Sequence, residues 1–301
     1  MNRALAFIAA ILLCTTARAE VVVDIGYLRV DVPLPPVLSN LDPVPEDLGA
    51  AGAATGLDDN NTTGRFMGQK YTLTEVRVPE GEDALVAARD MLVSTRFMVL
   101  DAPSDALTAI ADLPEAEGAI LFNTSSGDKN LRDTLCRANV LHTLPSDAMR
   151  TDALAQFFVK KRWSDLVLIA GTHPSDMAYA EAMRGSLTKF GLRLEAEKTW
   201  EFDADMRRNA AQEVPLFTQD FGDYDALLIA DEVHDFGRYV LYNTWQARPV
   251  AGSEGLSAVT WSPVIEQWGA AQLQSRFEET AGRSMTPQDY AAWAAVRAIG
   301  E

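Results

Sequence analysis

Short apolar runs alternate with amphipathic segments along the first half of the chain. Runs typical of strands occupy 21–28, 71–78, 97–100 and 119–122. Segments with the apolar spacing of helices lie between them, at 46–58, 83–94 and 104–113. The polar stretch 58–64 is predicted to be a turn. Alternation of strand and helix is the pattern of βαβ units on a parallel sheet.

The same pattern begins again after a short apolar run at 140–144. Strands are predicted at 166–170, 194–200, 226–230 and 257–261, and helices at 146–161, 175–190, 207–219 and 236–246. Pro215 interrupts the third of these helices. Two successive blocks of one pattern predict an α/β fold of two Rossmann-like lobes, with a crossover near 143–147.

The two ends of the chain carry further predictions. Arg3, the apolar run 4–13 and Ala17-Arg18-Ala19 have the pattern of a secretory signal peptide over 1–19, which predicts export from the cytoplasm. A lipid anchor at Cys14 is the alternative, although Leu13 stands where that motif needs a small residue. The final helical pattern, 287–301, has no cap and no return strand. We expect a chain cut inside its fold at Glu301, or a natural helical end.

Composition narrows the classes of partner and chemistry. The net charge of −17 repels phosphate backbones and anionic membranes, so nucleic acid is excluded as a partner. Without residues 1–19, Cys136 is the single cysteine, which permits no internal disulfide and predicts a buried, inert thiol. Three histidines without paired cysteines argue against structural zinc. No nucleophile elbow, zincin, P-loop or dinucleotide motif is present, so no enzyme is predicted.

Ligands of parallel α/β sheets bind beyond the carboxyl ends of the strands, which selects three loops. The loop 123–129 offers hydroxyl, amide and backbone N–H donors at a helix start that suit a carboxylate, or a capped helix with solvated charges. In the loop 171–176, Ser175 or Asp176 is alternatively only an N-cap. Trp261 follows a predicted strand and either stacks on a planar ligand or belongs to the core.

The order of these elements resembles a known family. The segments 23–28, 97–104, 119–123 and 142–145 are similar to those of type I periplasmic substrate-binding proteins of branched-chain amino-acid and amide ABC transporters. The stretches 38–45, 59–66 and 136–143 are similar to the branch encoded with alcohol dehydrogenase systems that depend on pyrroloquinoline quinone (PQQ). The resemblance implies a signal peptide at 1–19, lobe one at 20–143, lobe two at 144–262 and a return to lobe one at 263–301.

The resemblance also implies a set of ligand contacts. They are Ser104, Asn123 and Ser125 on lobe one, and His173, Tyr179, Asp231 and Trp261 on lobe two. An indole where amino-acid binders carry an acid suits a flat quinone. The three carboxylates of PQQ would then need cations near strand ends. Those available are Arg29, Lys129, Arg132 and Arg238.

We therefore expect a monomeric periplasmic binding protein without a cofactor or metal of its own. Its ligand would be PQQ or a similar anionic aromatic cofactor, captured by lobe closure for an ABC permease or for delivery to a PQQ-dependent dehydrogenase. The main alternative is an amino-acid, amide or other small-acid binder of an ABC transporter. An interaction module without a ligand and a periplasmic enzyme are the remaining alternatives.

Overall fold

The computed structural model describes residues 20–33, 44–201 and 206–301. The predicted signal peptide at 1–19 and most of the similar stretch 38–45 lie outside these residues. Within the described ranges, no helix has the length and apolar character needed to cross a bilayer.

A parallel five-stranded sheet forms the first lobe. Its strands are β1 (Val21–Val30), β2 (Gln69–Val78), β3 (Phe97–Asp101), β4 (Ile120–Asn123) and β5 (Val140–His142). They lie in the order β2-β1-β3-β4-β5, and every neighbouring pair is parallel. The helices between them are α1 (Ala50–Met67), α2 (Ala84–Leu92) and α3 (Ser104–Ala111). The loop after β5 runs directly into the second lobe.

A parallel four-stranded sheet forms the second lobe. Its strands are β6 (Asp165–Ala170), β7 (Arg193–Thr199), β8 (Ala226–Ala230) and β9 (Val250–Gly252), in the order β7-β6-β8-β9. Its helices are α4 (Asp147–Lys161), α5 (Pro174–Phe190), α6 (Met206–Thr218) and the short α7 (Gly237–Val240). The two-lobed parallel α/β fold predicted from the sequence is confirmed.

Two further helices, α8 (Ala270–Ala281) and α9 (Pro287–Gly300), follow the second sheet but pack against α1 of the first lobe. One face of the first sheet, including Tyr27 and Tyr71, is buried under α1 and α9 through Ala292, Ala295 and Val296. The other face packs on α2 and α3. Helices on both faces explain why these strands read as nearly continuous apolar runs.

Local signals set most helix boundaries. The Ser146 hydroxyl accepts a hydrogen bond from the backbone N–H of Met149 at 3.3 Å, which caps α4 as predicted. The backbone of Gly191 is left-handed, with φ of 69°, and ends α5. Pro215 lies inside α6 without ending it.

The predicted turn at 58–64 is wrong, because these residues form the last part of α1. Two of their polar side chains, those of Asp59 and Asn60, bind other helices instead of solvent. The carboxylate of Asp59 pairs with Arg276 of α8 and accepts the indole N–H of Trp293 at 2.9 Å. The amide of Asn60 donates to the backbone carbonyl of Val296 at 2.7 Å. A polar run was therefore mistaken for a turn because its partners lie more than two hundred residues away.

The region after β8 also differs from the sequence prediction. The helix predicted at 236–246 is limited to α7, because the chain turns to an extended conformation at Leu241, with ψ of 129°. The last strand is β9 at 250–252, paired with β8, and not 257–261. Cys136 is exposed and lies outside any helix, so the predicted buried thiol is wrong as well.

Candidate functional site

The strand order of each sheet reverses direction at one position, and ligands of such sheets bind at this point. In the first lobe the reversal lies between β1 and β3, and in the second between β6 and β8. The residues that follow these four strands at their carboxyl ends are therefore the candidate site.

Arg29 and Asp101 are register partners at the first of these two points. The Arg29 guanidinium donates to the backbone carbonyls of Glu46 and Leu48 at 3.1 and 3.3 Å, and its Nε lies 3.8 Å from Asp101. The Tyr27 hydroxyl donates to the same carboxylate at 3.4 Å. Burial raises the pKa of Asp101, against the opposing effects of Ser125 and Arg29. Arg29 thus holds the 46–48 segment over the strand ends and is not a free cation.

Asn123, at the end of β4, is completely buried and organises the loop that follows. Its amide nitrogen donates to the carbonyl of Ser126 at 2.8 Å and lies 3.1 Å from Nδ1 of His142. Its amide oxygen accepts from the backbone N–H of Ser126 at 3.0 Å. The structure therefore uses Asn123 as a loop support.

The other predicted contacts of the first lobe lie around this loop. Ser125 is half-buried, and its hydroxyl is 3.4 Å from the carbonyl of Ala102. Ser104 begins α3 and is also half-buried. Lys129 is exposed at the start of a short 3-10 helix. Of these three residues, Ser125 is the one that interacts with the Asp101 carboxylate.

Asp231 directly follows β8 and is completely buried. Its Oδ2 accepts the backbone N–H groups of Phe236 and Gly237 at 2.9 and 2.7 Å, and its Oδ1 accepts that of Asp235 at 3.0 Å. These bonds fix the turn that leads into α7. Both carboxylate oxygens are therefore already hydrogen-bonded within the protein.

The loop after β6 is tied to the loop after β8. Asp176, on the first turn of α5, accepts the backbone N–H of His173 at 3.1 Å and that of Glu232 at 2.7 Å. Burial raises the pKa of Asp176, despite these hydrogen bonds. Nε2 of His173 lies 3.7 Å from the Asp235 carboxylate and is partly exposed. The N-cap of α5 is His173, so neither Ser175 nor Asp176 is the N-cap; Asp176 is the third helical residue and accepts the backbone N–H of the N-cap.

Arg150 and Glu232 form the central ion pair of this edge. Two guanidinium nitrogens of Arg150 donate to the two Glu232 oxygens at 2.6 and 3.1 Å. The same guanidinium contacts Asp147 at 3.2 Å, and the Ser253 hydroxyl donates to Glu232 at 2.7 Å. Burial alone would lower the pKa of Arg150, but the bonds to Glu232 raise it. Each of the three charged side chains is about one-fifth exposed.

Tyr179 lies beneath this ion pair. The Arg150 guanidinium carbon is 4.6 Å from the centre of the Tyr179 ring, which is a cation–π contact. The ring is fully buried, and its hydroxyl has no hydrogen-bond partner among the residues that the structure describes. Burial raises the pKa of Tyr179, so the hydroxyl is protonated and is a donor without an acceptor.

The crossover brings the two carboxyl edges together. The backbone N–H of Asp147, at the start of α4, donates to the carbonyl of Gly127 in the loop after β4 at 2.8 Å. Asp147 also contacts Arg150, which reaches Glu232 at the end of β8. A continuous set of contacts therefore joins the first lobe to the loop after β8.

Trp261 differs most from its predicted place. It is 6% exposed and packs with Leu273, Phe277 and Met285 between the C-terminal helices and α1. Its ring stacks on Tyr290 at 5.1 Å, and its N–H donates to Gln274 at 3.1 Å. The predicted strand before it does not form, so Trp261 does not reach a strand end. Arg238 is half-buried on α7.

Sequence reasoning missed Asp101, Arg150 and Glu232. Asp101 and Glu232 stand in loops that the carboxyl-end rule selects, so that rule was the available signal. No sequence signal selects Arg150, because an arginine near the start of a helix is ordinarily interpreted as a residue exposed to solvent. Its role depends on contact with a residue 82 positions later.

The candidate site is not marked by a set of metal ligands. Among the described residues, no group of histidine, cysteine and acidic side chains is arranged to hold a metal ion. A groove of about 510 Å³ lies instead at the opposite edge of the first lobe, before β3 and β4. It is lined by Leu92, Val93, Arg96, Pro114, Glu115 and Glu117.

Comparison with known proteins shows which solved structures share this fold. No protein-family model and no curated protein sequence matches the chain. An ABC transporter substrate-binding protein from Desulfitobacterium hafniense, solved in complex with Leu, is similar in structure, with a TM-score of 0.67 and 17% identity over 93% of this chain and 83% of that chain.

Two further solved structures have the same architecture. A branched-chain amino acid ABC transporter periplasmic ligand-binding protein from Burkholderia xenovorans has a TM-score of 0.69 and 15% identity, covering 91% of this chain and 76% of that chain. The leucine-, isoleucine-, valine-, threonine- and alanine-binding protein from Brucella ovis has a TM-score of 0.66 and 13% identity, covering 93% and 76%. The chain therefore has the two-lobed α/β fold of these periplasmic binding proteins.

Proposed function

We propose that the chain is the solute-binding component of an ABC-type importer. It would act in the periplasm and capture an amino-acid-sized solute, an amino acid, an amide or another small acid, between its lobes. The observation that carries this proposal is the meeting of the two carboxyl edges at the crossover, through Gly127, Asp147, Arg150 and Glu232. Two sheets whose binding edges face one junction are suited to closing on a ligand by hinge motion.

The solved structures of similar fold support this class of function. The Desulfitobacterium hafniense protein, solved in complex with Leu, is an ABC transporter substrate-binding protein, and the Burkholderia xenovorans protein is a branched-chain amino acid ABC transporter periplasmic ligand-binding protein. The Brucella ovis protein is a leucine-, isoleucine-, valine-, threonine- and alanine-binding protein. The partner would then be a membrane permease, and the protein would perform no reaction of its own. The periplasmic location agrees with the signal-like sequence at 1–19, which lies outside the described residues.

PQQ is the less favoured ligand. The observation in its favour was an indole at a strand end, and Trp261 is a core residue instead. At the second-lobe edge the Arg150 guanidinium is bonded to Asp147 and Glu232, and Asp176, Asp231 and Asp235 lie in the adjoining loops. Three carboxylates would meet one guanidinium among several acids at this edge, so a cation would match at most one of them. Delivery to a PQQ-dependent dehydrogenase loses its support for the same reason.

Thermal unfolding of the purified protein with single candidate ligands tests the proposal. The panel contains amino acids, their amides, small organic acids and PQQ. A ligand at one hundred times its dissociation constant adds about 2.7 kcal/mol to the free energy of unfolding, which raises the midpoint measurably. A shift with a small solute supports the proposal. A shift with PQQ alone would replace it by the cofactor hypothesis, and no shift with any compound would remove it.

A pair of serine variants locates the site. Ser125→Ala removes a half-buried hydroxyl at the proposed cleft, and we expect about tenfold weaker binding by calorimetry. Ser275→Ala removes a hydroxyl that donates to the Ala271 carbonyl on exposed α8, and binding should not change. Equal effects of the two substitutions would place the ligand elsewhere.

A further inference from the structure

Asp231 and Glu232, the two acids directly after β8, are not free to bind a ligand cation. Asp231 accepts three backbone N–H groups, and its carboxylate is completely buried. Glu232 accepts two bonds from Arg150 and one from Ser253. An ammonium group brought to Glu232 would also meet the positive guanidinium that already holds it. Repulsion between these two cations opposes binding of the ammonium.

The unused groups at this edge are hydrogen-bond donors. A guanidinium carries five N–H groups. The contacts of Arg150 to Glu232 and Asp147 use three of them. The Tyr179 hydroxyl, on the ring below the guanidinium, is a protonated donor with no partner in the described residues. Donors of an arginine and a tyrosine on one side suit a carboxylate, which accepts several charge-assisted bonds.

We infer that the solute presents a carboxylate without an adjacent ammonium group to the second lobe, and that Arg150 and Tyr179 recognise it. This assignment rests on the proposed function and narrows its ligand class to small carboxylic acids such as 2-oxo acids. Arg150, which is partly exposed, meets the carboxylate first. The Tyr179 hydroxyl is buried in the second-lobe core, so it would reach the carboxylate only after the guanidinium above it had shifted.

The other charged groups at this edge are mostly acids that already have partners within the protein. Asp176 accepts the backbone N–H groups of His173 and Glu232, and Asp235 faces His173. Asp147 pairs with Arg150 itself. The net charge of −17 acts at longer range and repels an anion in dilute salt. Affinity for a carboxylic acid should therefore rise with ionic strength, whereas affinity for a cationic ligand would fall.

Matched pairs of ligands test the inference on the full protein. Calorimetry would compare pyruvate, α-ketoisovalerate, α-ketoisocaproate and phenylpyruvate with alanine, valine, leucine and phenylalanine. Within a pair the carbon skeleton is the same, and the amine is replaced by a carbonyl. We expect at least one 2-oxo acid to bind about tenfold or more tightly than its amino acid, since 1.4 kcal/mol corresponds to this ratio.

Variants identify the residues responsible. Tyr179→Phe removes a hydroxyl that has no partner, so the unfolding midpoint without ligand should stay unchanged while 2-oxo acid binding weakens about tenfold. Arg150→Lys keeps the positive charge but loses the planar guanidinium that donates to a carboxylate at two points, and it should weaken binding further. Arg184→Met is the matched control, because Arg184 makes a similar two-point pair with Glu197 outside the site, and binding should persist.

The possible outcomes separate the inference from the proposed function. Preference for a 2-oxo acid, lost in the Arg150 and Tyr179 variants but kept in the Arg184 variant, supports the inference. Equal or tighter binding of an amino acid overturns it and leaves the proposed function in place. Preference that survives both variants overturns the assignment of the residues. Absence of binding by every acid, amino acid and amide overturns the inference and the proposed function together.

Discussion

Two tryptophans show that one residue type can occupy opposite environments in this chain. Trp261 is buried against Tyr290 with its N–H bonded to Gln274, whereas Trp268 is 93% exposed. Both occur in the same stretch after β9, and composition does not distinguish them. The difference comes from α8 and α9, which cover one indole and leave the other in solvent.

Trp261→Ala should therefore destabilise the fold. Removing a buried indole leaves a cavity and an unpaired amide oxygen on Gln274, and we expect a loss of about 3–5 kcal/mol in the free energy of unfolding, measured by urea denaturation. Trp268→Ala, the control, should change this free energy by less than about 0.5 kcal/mol. Unchanged stability of Trp261→Ala combined with lost ligand binding would contradict the core role and restore the stacking hypothesis.

Asp289 is the other residue whose surroundings decide its role. Its buried carboxylate accepts from Arg283, from the backbone N–H of Gly49 at 2.8 Å and from Thr286. Burial alone would raise the pKa of Asp289, but Arg283 and the N–H donors together lower it. This group joins the start of α9 to the segment before α1.

A lowered pKa in the folded state makes the contribution of Asp289 depend on pH. The ionised carboxylate stabilises the fold above the unfolded pKa, near 3.8, and this stabilisation is lost as pH falls through the lower folded pKa. Asp289→Asn should cost about 3 kcal/mol at neutral pH, and the difference from the unmodified chain should shrink below about pH 4.

Asp47→Asn is the matched control for this titration. Asp47 pairs with the same Arg283 at 3.0 Å but is about half exposed, so its loss should cost less than about 1 kcal/mol. Urea midpoints across the acid range measure both variants. A difference for Asp289→Asn that stayed constant into strong acid would show that its charge is not the source of stability.

At the scale of elements, α1 and α9 pack closely because α1 carries glycines on one face. A Cβ placed on Gly52 would lie 2.6 Å from the carbonyl carbon of Asp289, and one on Gly56 would lie 3.0 Å from the carbonyl oxygen of Trp293. Since a real Cβ does not approach backbone this closely, the absence of side chains at these positions sets the distance between the helices.

Gly52→Ala should destabilise the protein, although alanine favours helix more than glycine. We expect a loss of about 1–3 kcal/mol from the overlap with α9, seen in urea unfolding. Gly185→Ala is the control at an exposed position of α5, where a Cβ meets nothing within 4 Å. It should stabilise by about 0.5–1 kcal/mol. Stabilisation of comparable size by both substitutions would show that α1 and α9 do not depend on this contact.

Sequence patterns predicted the helices and strands whose formation follows from their own residues. The strands at 166–170 and 226–230 were found because nearly all their residues are buried and apolar. The strand at 250–252 was missed because three residues carry no periodicity, and its pairing comes from β8. The polar end of α1 was missed because Asp59 and Asn60 obtain their partners from α8 and α9.

The position of the candidate site could be predicted from the sequence, but the contacts of its side chains could not. The rule of carboxyl ends selected the loops that contain Asp101, Asn123, Asp231 and Glu232. Whether a side chain in such a loop faces a ligand or supports its own backbone depends on neighbours far along the chain. Asn123 and Asp231 support backbone, and Arg150 enters the site only through its contact with Glu232.

At the scale of the whole molecule, the position of α8 and α9 has a consequence for assembly. They follow the complete second lobe along the chain, yet they bury the face of the first sheet that carries Tyr27 and Tyr71. The second lobe is made from contiguous sequence and needs no later segment, whereas the first lobe has to wait for its last helices. We therefore expect the N-terminal sheet to finish folding last, with a slow phase typical of distant contacts and an interval in which its tyrosine face needs protection from aggregation.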